Sequence, residues 1–163
     1  MVRTTLHRDP LIDLLRRRTW AGWIDVLLLF VLFVLISLGS GQGHIGSWTT
    51  NDNGVVSYHK GVSLHLDGGA FLLWAAISLL YYFSTELWTE QSIGKWIMGL
   101  KVITVGGEPL GVRPVLLRTL GRIVDVLPVF YLVGWIAMRG PHKPPQRLGD
   151  RVAGTTVVPV SHP

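Results

Sequence analysis

The chain has 163 residues, 48% of them hydrophobic, with seven tryptophans, no cysteine and a formal charge of +5. A positive mean hydropathy combined with a strongly basic balance marks a membrane protein. The length suits one domain of about two to four membrane segments and leaves no room for a separate soluble catalytic domain. Without cysteine there are no disulfides, thiolate metal sites or cysteine nucleophiles, so any metal chemistry would fall to histidine and carboxylate.

The first element lies in "RRRTWAGWIDVLLLF", residues 16–30, where three arginines precede an apolar run that holds Asp25. Residues 20–38 contain no other ionised side chain, and that length suffices for a helix to cross a ~30 Å hydrocarbon layer. A secretory signal is the rival reading. The apolar run is too long for it, and "SLGSGQG" offers no small-x-small cleavage site. A carboxylate at mid-membrane costs roughly 2.5–3.5 kcal/mol even on insertion scales, so Asp25 is expected to face protein. Arg18 lies seven residues earlier on the same helical face. Ala21 and Gly22 beside it are small enough to let another helix approach.

Residues 39–67 hold one lysine, Lys60, and no arginine. The other basic residues lie outside the pair of spans, and the positive-inside rule then puts both termini in the cytoplasm and this loop outside. Within the loop, residues 55–59 and 62–66 flank Lys60 and Gly61 and read as a small hairpin. A turn at Lys60 and Gly61 would pair His59 with Val62 and His65 with Val56. The two histidines would then lie on opposite faces, which disfavours a metal site built from His44, His59 and His65.

A second span is expected over residues 68–88, with Trp74, Tyr81, Tyr82 and Trp88 suited to membrane interfaces and Glu86 near its end. In the following stretch Gly94 reads as a helix terminator and Lys95 as a phosphate anchor. Residues 101–105 and 155–158 are rich in β-branched side chains and adjoin glycines. Neither strand would stand alone, so the two are expected to pair as a short cytoplasmic ribbon.

The third apolar segment, 113–138, contains Arg118, Arg122, Asp125 and Pro128, and a basic stretch follows it. A full crossing would put that stretch outside, against the charge rule. Proline breaks helices, so the segment is read as two helices, 113–127 and 129–138, forming a re-entrant or half-depth hairpin. At 100° per residue Arg118, Arg122 and Asp125 form one stripe. The expected pairings are Arg18 with Asp125 and Asp25 with Arg122. Together these elements describe an α-helical membrane protein with two transmembrane helices, a Pro-broken third segment and a two-stranded β-ribbon.

Four motifs in order, "RTWAGWID", "TEQSIGKWIMGLKVI", "LLRTLGRIVDVLP" and "QRLGDRVAGTTVV", resemble the RDD family of small bacterial membrane proteins, named for one arginine and two aspartates. The resemblance covers nearly everything but the first dozen residues and the outer loop. It implies that Arg18 and Asp25 match the family's arginine and first aspartate, with Asp125 taken as the second and Asp150, beside Arg147, as the alternative. Trp96 stands where members more often carry arginine. The domain division is a cytoplasmic tail at 1–15, an RDD-like membrane domain at 16–158 and a short tail at 159–163. The resemblance implies transport of a small ion or ligand past Arg18, Asp25, Arg118, Arg122 and Asp125, by an oligomer in the bacterial cytoplasmic membrane. The competing reading is an accessory or assembly subunit of a larger membrane complex, with the cluster purely structural. Phosphate-loop, H-E-x-x-H and G-x-S-x-G motifs and paired catalytic carboxylates are absent, so an enzyme is not expected, nor any cofactor or metal. The basic residues hug the ends of apolar spans, which suits lipid headgroups and not nucleic acid.

Overall fold

A computed structural model describes residues 10–126 and 146–160, and of residues 10, 123–126 and 148 the backbone alone. The chain divides into two compact units, one built from the residues up to Asp25 together with those from Tyr81 onward, the other from Val26–Leu80.

Two long helices are shared between the units: α1, Pro10–Gly39, and α2, Gly68–Thr89. Both are long and apolar enough to cross a membrane. They coincide with the two expected spans, except that α1 starts ten residues before the first one. Its opening turn is fixed by Asp13, which accepts from Arg17 at 2.7 Å and from Arg16 at 3.0 Å, the i,i+4 and i,i+3 neighbours on a helix face.

In the Val26–Leu80 unit, the Trp74 indole N–H donates to the Leu29 carbonyl at 3.0 Å, and the Trp74 ring meets Phe33 edge-on. The buried Ser37 hydroxyl donates to the His65 carbonyl and accepts from the His65 amide, tying the chain on either side of the hairpin together. That hairpin differs from the expected one. Strand β1, His44–Asp52, pairs antiparallel with β2, Val55–Ser63, around Asn53 and Gly54. Both turn residues have positive φ, at 50° and 86°. This is what a two-residue turn of the primed type demands, and Asn-Gly is its preferred sequence. Lys60 and Gly61 instead lie inside β2, and His59 faces Trp48, not Val62. The longer register wins because it pairs nine residues on each side and places the one dipeptide suited to left-handed backbone at the tip.

The other unit holds α3, Ile93–Ile97; β3, Leu100–Thr104; α4, Val112–Val126; α5, Leu148–Val152; and β4, Thr155–Pro159. The expected ribbon forms: β3 and β4 run antiparallel with Lys101 opposite Val158 and Thr104 opposite Thr155, and the Val105 amide reaches the Gly154 carbonyl at 2.9 Å. Alternation buries Leu100 and Val102 of β3 with Val157 of β4 against Ala21, Leu110 and Val115, and Leu14, Phe83, Leu87 and Met98 pack around them. The ribbon is therefore anchored on the ends of both long helices and on α4. α4 matches the first half of the broken third segment. Pro128 and the second half, 129–138, lie outside the described residues. α4 and α5 cross closely at two glycines, where a Cβ on Gly121 would come within 2.9 Å of the Gly149 Cα.

Candidate functional site

Five elements of this unit converge on a buried set of charges. Arg118 and Arg122 project from one face of α4 as the helical period requires. Arg118 is a three-way bridge: its Nε donates to Glu86 Oε2 at 3.1 Å, and its Nη1 donates to Asp150 Oδ1 and to the Thr155 hydroxyl at 2.6 Å. It thereby joins α2, α5 and β4. Glu86, 0% exposed, also receives Lys95 Nζ and Arg122 Nη2 on its other oxygen. The Arg122 guanidinium lies over the Tyr82 ring, 3.8 Å from its centroid, in cation–π geometry. Its Nε is buried with no hydrogen-bond partner among the described residues.

Asp150, 4% exposed, accepts from Arg18 Nη2 at 2.6 Å and from the Arg147 amide at 3.1 Å, in addition to Arg118. The two guanidinium groups hold its carboxyl down at about 2, against the opposing effect of burial. Arg18 of α1 and Arg118 of α4 are thus joined through one shared carboxylate. The Arg147 guanidinium lies beside Gly22, where an added Cβ would meet Nη2 at 3.7 Å, an ordinary contact.

Asp25 is satisfied differently. Its Oδ1 accepts from the Tyr81 hydroxyl at 2.9 Å and the Gly94 amide at 2.8 Å, and its Oδ2 accepts from the Ser92 hydroxyl at 2.6 Å. Ser92 also caps α3. The Tyr81 hydroxyl in turn accepts from the Ile93 amide at 3.0 Å. A Cβ on Gly94 would overlap the Ala21 carbonyl, so glycine here is what lets α3 reach α1. The small residues beside Asp25 do admit a neighbour, but a five-residue helix instead of a long one.

Several expectations are corrected by this geometry. The Asp25–Arg122 pair does not form, because Glu86 at the end of α2 takes Arg122 while neutral donors from α2 and α3 take Asp25. Arg18 meets Asp150, the alternative second aspartate. The side chain of Asp125, the preferred one, lies outside the described residues. Gly94 sits inside α3 and does not end it, and Lys95 pairs with Glu86 instead of reaching outward for phosphate. Sequence reasoning missed Glu86 as the common acceptor, along with Tyr81, Ser92 and Lys95. The available signal was a lone acid in an apolar helix followed nine residues later by a lysine.

A family model described as the RDD family matches residues 13–154. The chain belongs to the RDD family. The matched span contains every member of the charged cluster, and with the two long apolar helices it makes this a membrane protein. No curated protein and no solved structure matches the chain.

The RDD cluster gives two graded predictions. In Asp25→Asn the amide oxygen still accepts from Gly94 and Tyr81, and the Ser92 hydroxyl can turn to accept. The cost should be about 1 kcal/mol, whereas Asp25→Leu orphans three donors at roughly 1–3 kcal/mol each. Thermal unfolding in mild detergent ranks the two variants, and equal losses would contradict the hydrogen-bond assignment. The second concerns Lys95, whose ammonium burial lowers to about 7 from its ordinary 10.5 although Glu86 opposes the shift. Between those values the unfolded chain binds the extra proton, so stability should rise as pH climbs from about 7 towards 10.5. Lys95→Met should flatten that rise in the unfolding midpoint.

Proposed function

We propose that this RDD protein is a non-enzymatic, non-transporting accessory or assembly subunit of a larger complex in the bacterial cytoplasmic membrane, with both termini cytoplasmic and the β1–β2 hairpin outside. The observation that carries the reading is the state of the three carboxylates. Asp25, Glu86 and Asp150 are all buried, and each is taken up by donors of the chain itself. A path for ions needs groups that meet water and exchange partners, whereas buried carboxylates held by fixed donors set geometry. The hairpin also suits a protein partner: Ile45, Val56, Tyr58 and Val62 share one exposed face of it.

The second reading is transport by an oligomer, and one observation favours it. Of the three cations on Glu86, only Lys95 can release its proton, because arginine stays charged. The deciding experiment reconstitutes the purified protein in vesicles loaded with a pH-sensitive dye and imposes sodium, potassium or proton gradients. The accessory reading predicts decay no faster than in protein-free vesicles. It also predicts a native mass that includes a second polypeptide in fixed ratio when the protein is taken from its membrane in mild detergent. Cation-dependent proton movement that Lys95→Met abolishes would establish transport instead.

A further inference from the structure

α4 is amphipathic in the sense opposite to a helix of a water-soluble domain. Its inward face carries Arg118 and Thr119, both buried, together with Val115. On its outward side Val112, Leu116 and Leu120 are 59%, 46% and 48% exposed. Their i, i+4, i+8 spacing makes one continuous apolar stripe. The same inversion holds on the first half of α1, where Arg18 and Asp25 are buried while Trp20 and Trp23 are exposed. Trp88 at the end of α2 and Trp96 in α3 are exposed as well, which puts four outward-facing tryptophans among the described residues of the unit that contains α4.

We propose that the Val112–Leu116–Leu120 stripe of α4 is a lipid-binding face, immersed at the acyl boundary of one leaflet, with Arg113 at the anionic headgroups. Three observations select lipid as the occupant. α4 packs through Val115 into one core with Ala21 of α1 and Phe83 and Leu87 of α2, the ends of the two helices long and apolar enough to cross a membrane. The exposed tryptophans are the side chains that favour the membrane–water boundary, amphipathic rings with an N–H for the headgroup layer. Arg113 is exposed beside Val112, and a cation at the edge of an apolar stripe is the complement of a phosphate. The arrangement also shields the cluster. The inward face of α4 supplies Arg118 and Arg122, and acyl chains on its outward face keep water from the same side chains.

The absence of cysteine allows single-cysteine spin labels with no background. Labels at Leu116, Leu120 and, for comparison, the exposed Glu108 in the turn before α4 would be read in vesicles of phosphatidylcholine and phosphatidylglycerol. The expected result is a collision ratio of oxygen over a water-soluble nickel chelate that is several-fold higher at Leu116 and Leu120 than at Glu108. In the unaltered protein, a phospholipid with a diazirine in its acyl chain should modify the peptide spanning residues 112–120. Nickel access at Leu116 would show a water-exposed stripe and overturn the proposal. Low access to both reagents would show a protein cover, and spin–spin broadening a second copy of the chain. Either result overturns it, as does an unmodified peptide in the photolabelling experiment.

Discussion

Glu86→Gln should cost about 3–5 kcal/mol, the range found when one partner of a buried ion pair is removed, and should leave little folded protein in a domain with the usual ~5–15 kcal/mol of stability. The amide removes the negative charge that Lys95, Arg118 and Arg122 share. Arg118 keeps Asp150 and Thr155, but Lys95 and Arg122 keep no carboxylate among the described residues. Arg122 is the worst placed, since its Nε already lacks a partner among the described residues. Glu90→Gln is the contrast, because the Lys101–Glu90 pair is partly exposed and such pairs are worth ~1 kcal/mol or less. The check is the yield of monodisperse protein in mild detergent and its unfolding midpoint. Equal behaviour of the two variants would mean that Glu86 does not hold the unit together.

Gly94→Ala should be nearly as damaging, at about 3 kcal/mol, the upper end of the cost of overpacking. The added methyl would overlap the Ala21 carbonyl and approach Asp25 Oδ1 to 2.9 Å. A helical carbonyl cannot rotate away as a long side chain can, so α3 must lift off α1. That movement withdraws the Gly94 amide and the Ser92 hydroxyl from Asp25 in the same step. Gly106→Ala, with open space around its Cβ, should leave the unfolding midpoint unchanged.

Elements whose signal is local were legible in the sequence. Both long helices follow from long, largely apolar runs, and the β3–β4 ribbon follows from two β-branched stretches that need a partner. The arginine stripe of α4 follows from helical period alone. The hairpin was misplaced because Lys60 and Gly61 centre a symmetric pair of apolar stretches, while the Asn53–Gly54 signal stands among polar residues and carries backbone conformation, not hydropathy. Partner choice within the cluster was the least legible feature. Helical period says which charges share a face but not which distant carboxylate meets them. Glu86 and Asp150 reach Arg118 from 32 residues away on either side in the chain. Asp25 faces protein as expected, but its partners escaped prediction for a related reason: a carboxylate can be satisfied by hydroxyls and a backbone amide, and no residue spacing announces that.

In the accessory-subunit reading the buried charges form a structural lock in which Arg18 of α1 and Asp150 of α5 depend on each other. The most direct test is a double-mutant cycle with Arg18→Met, Asp150→Asn and the two combined, read as unfolding free energies in one detergent. Arg18→Met should leave Asp150 with Arg118 and the Arg147 amide, and Asp150→Asn should take a shared carboxylate from both Arg18 and Arg118, so each single change should be destabilising. The combined variant should recover part of the loss, because no unpaired member of that pair remains and Arg118 keeps Glu86. Losses that simply add would contradict the lock and show that the two residues contribute independently.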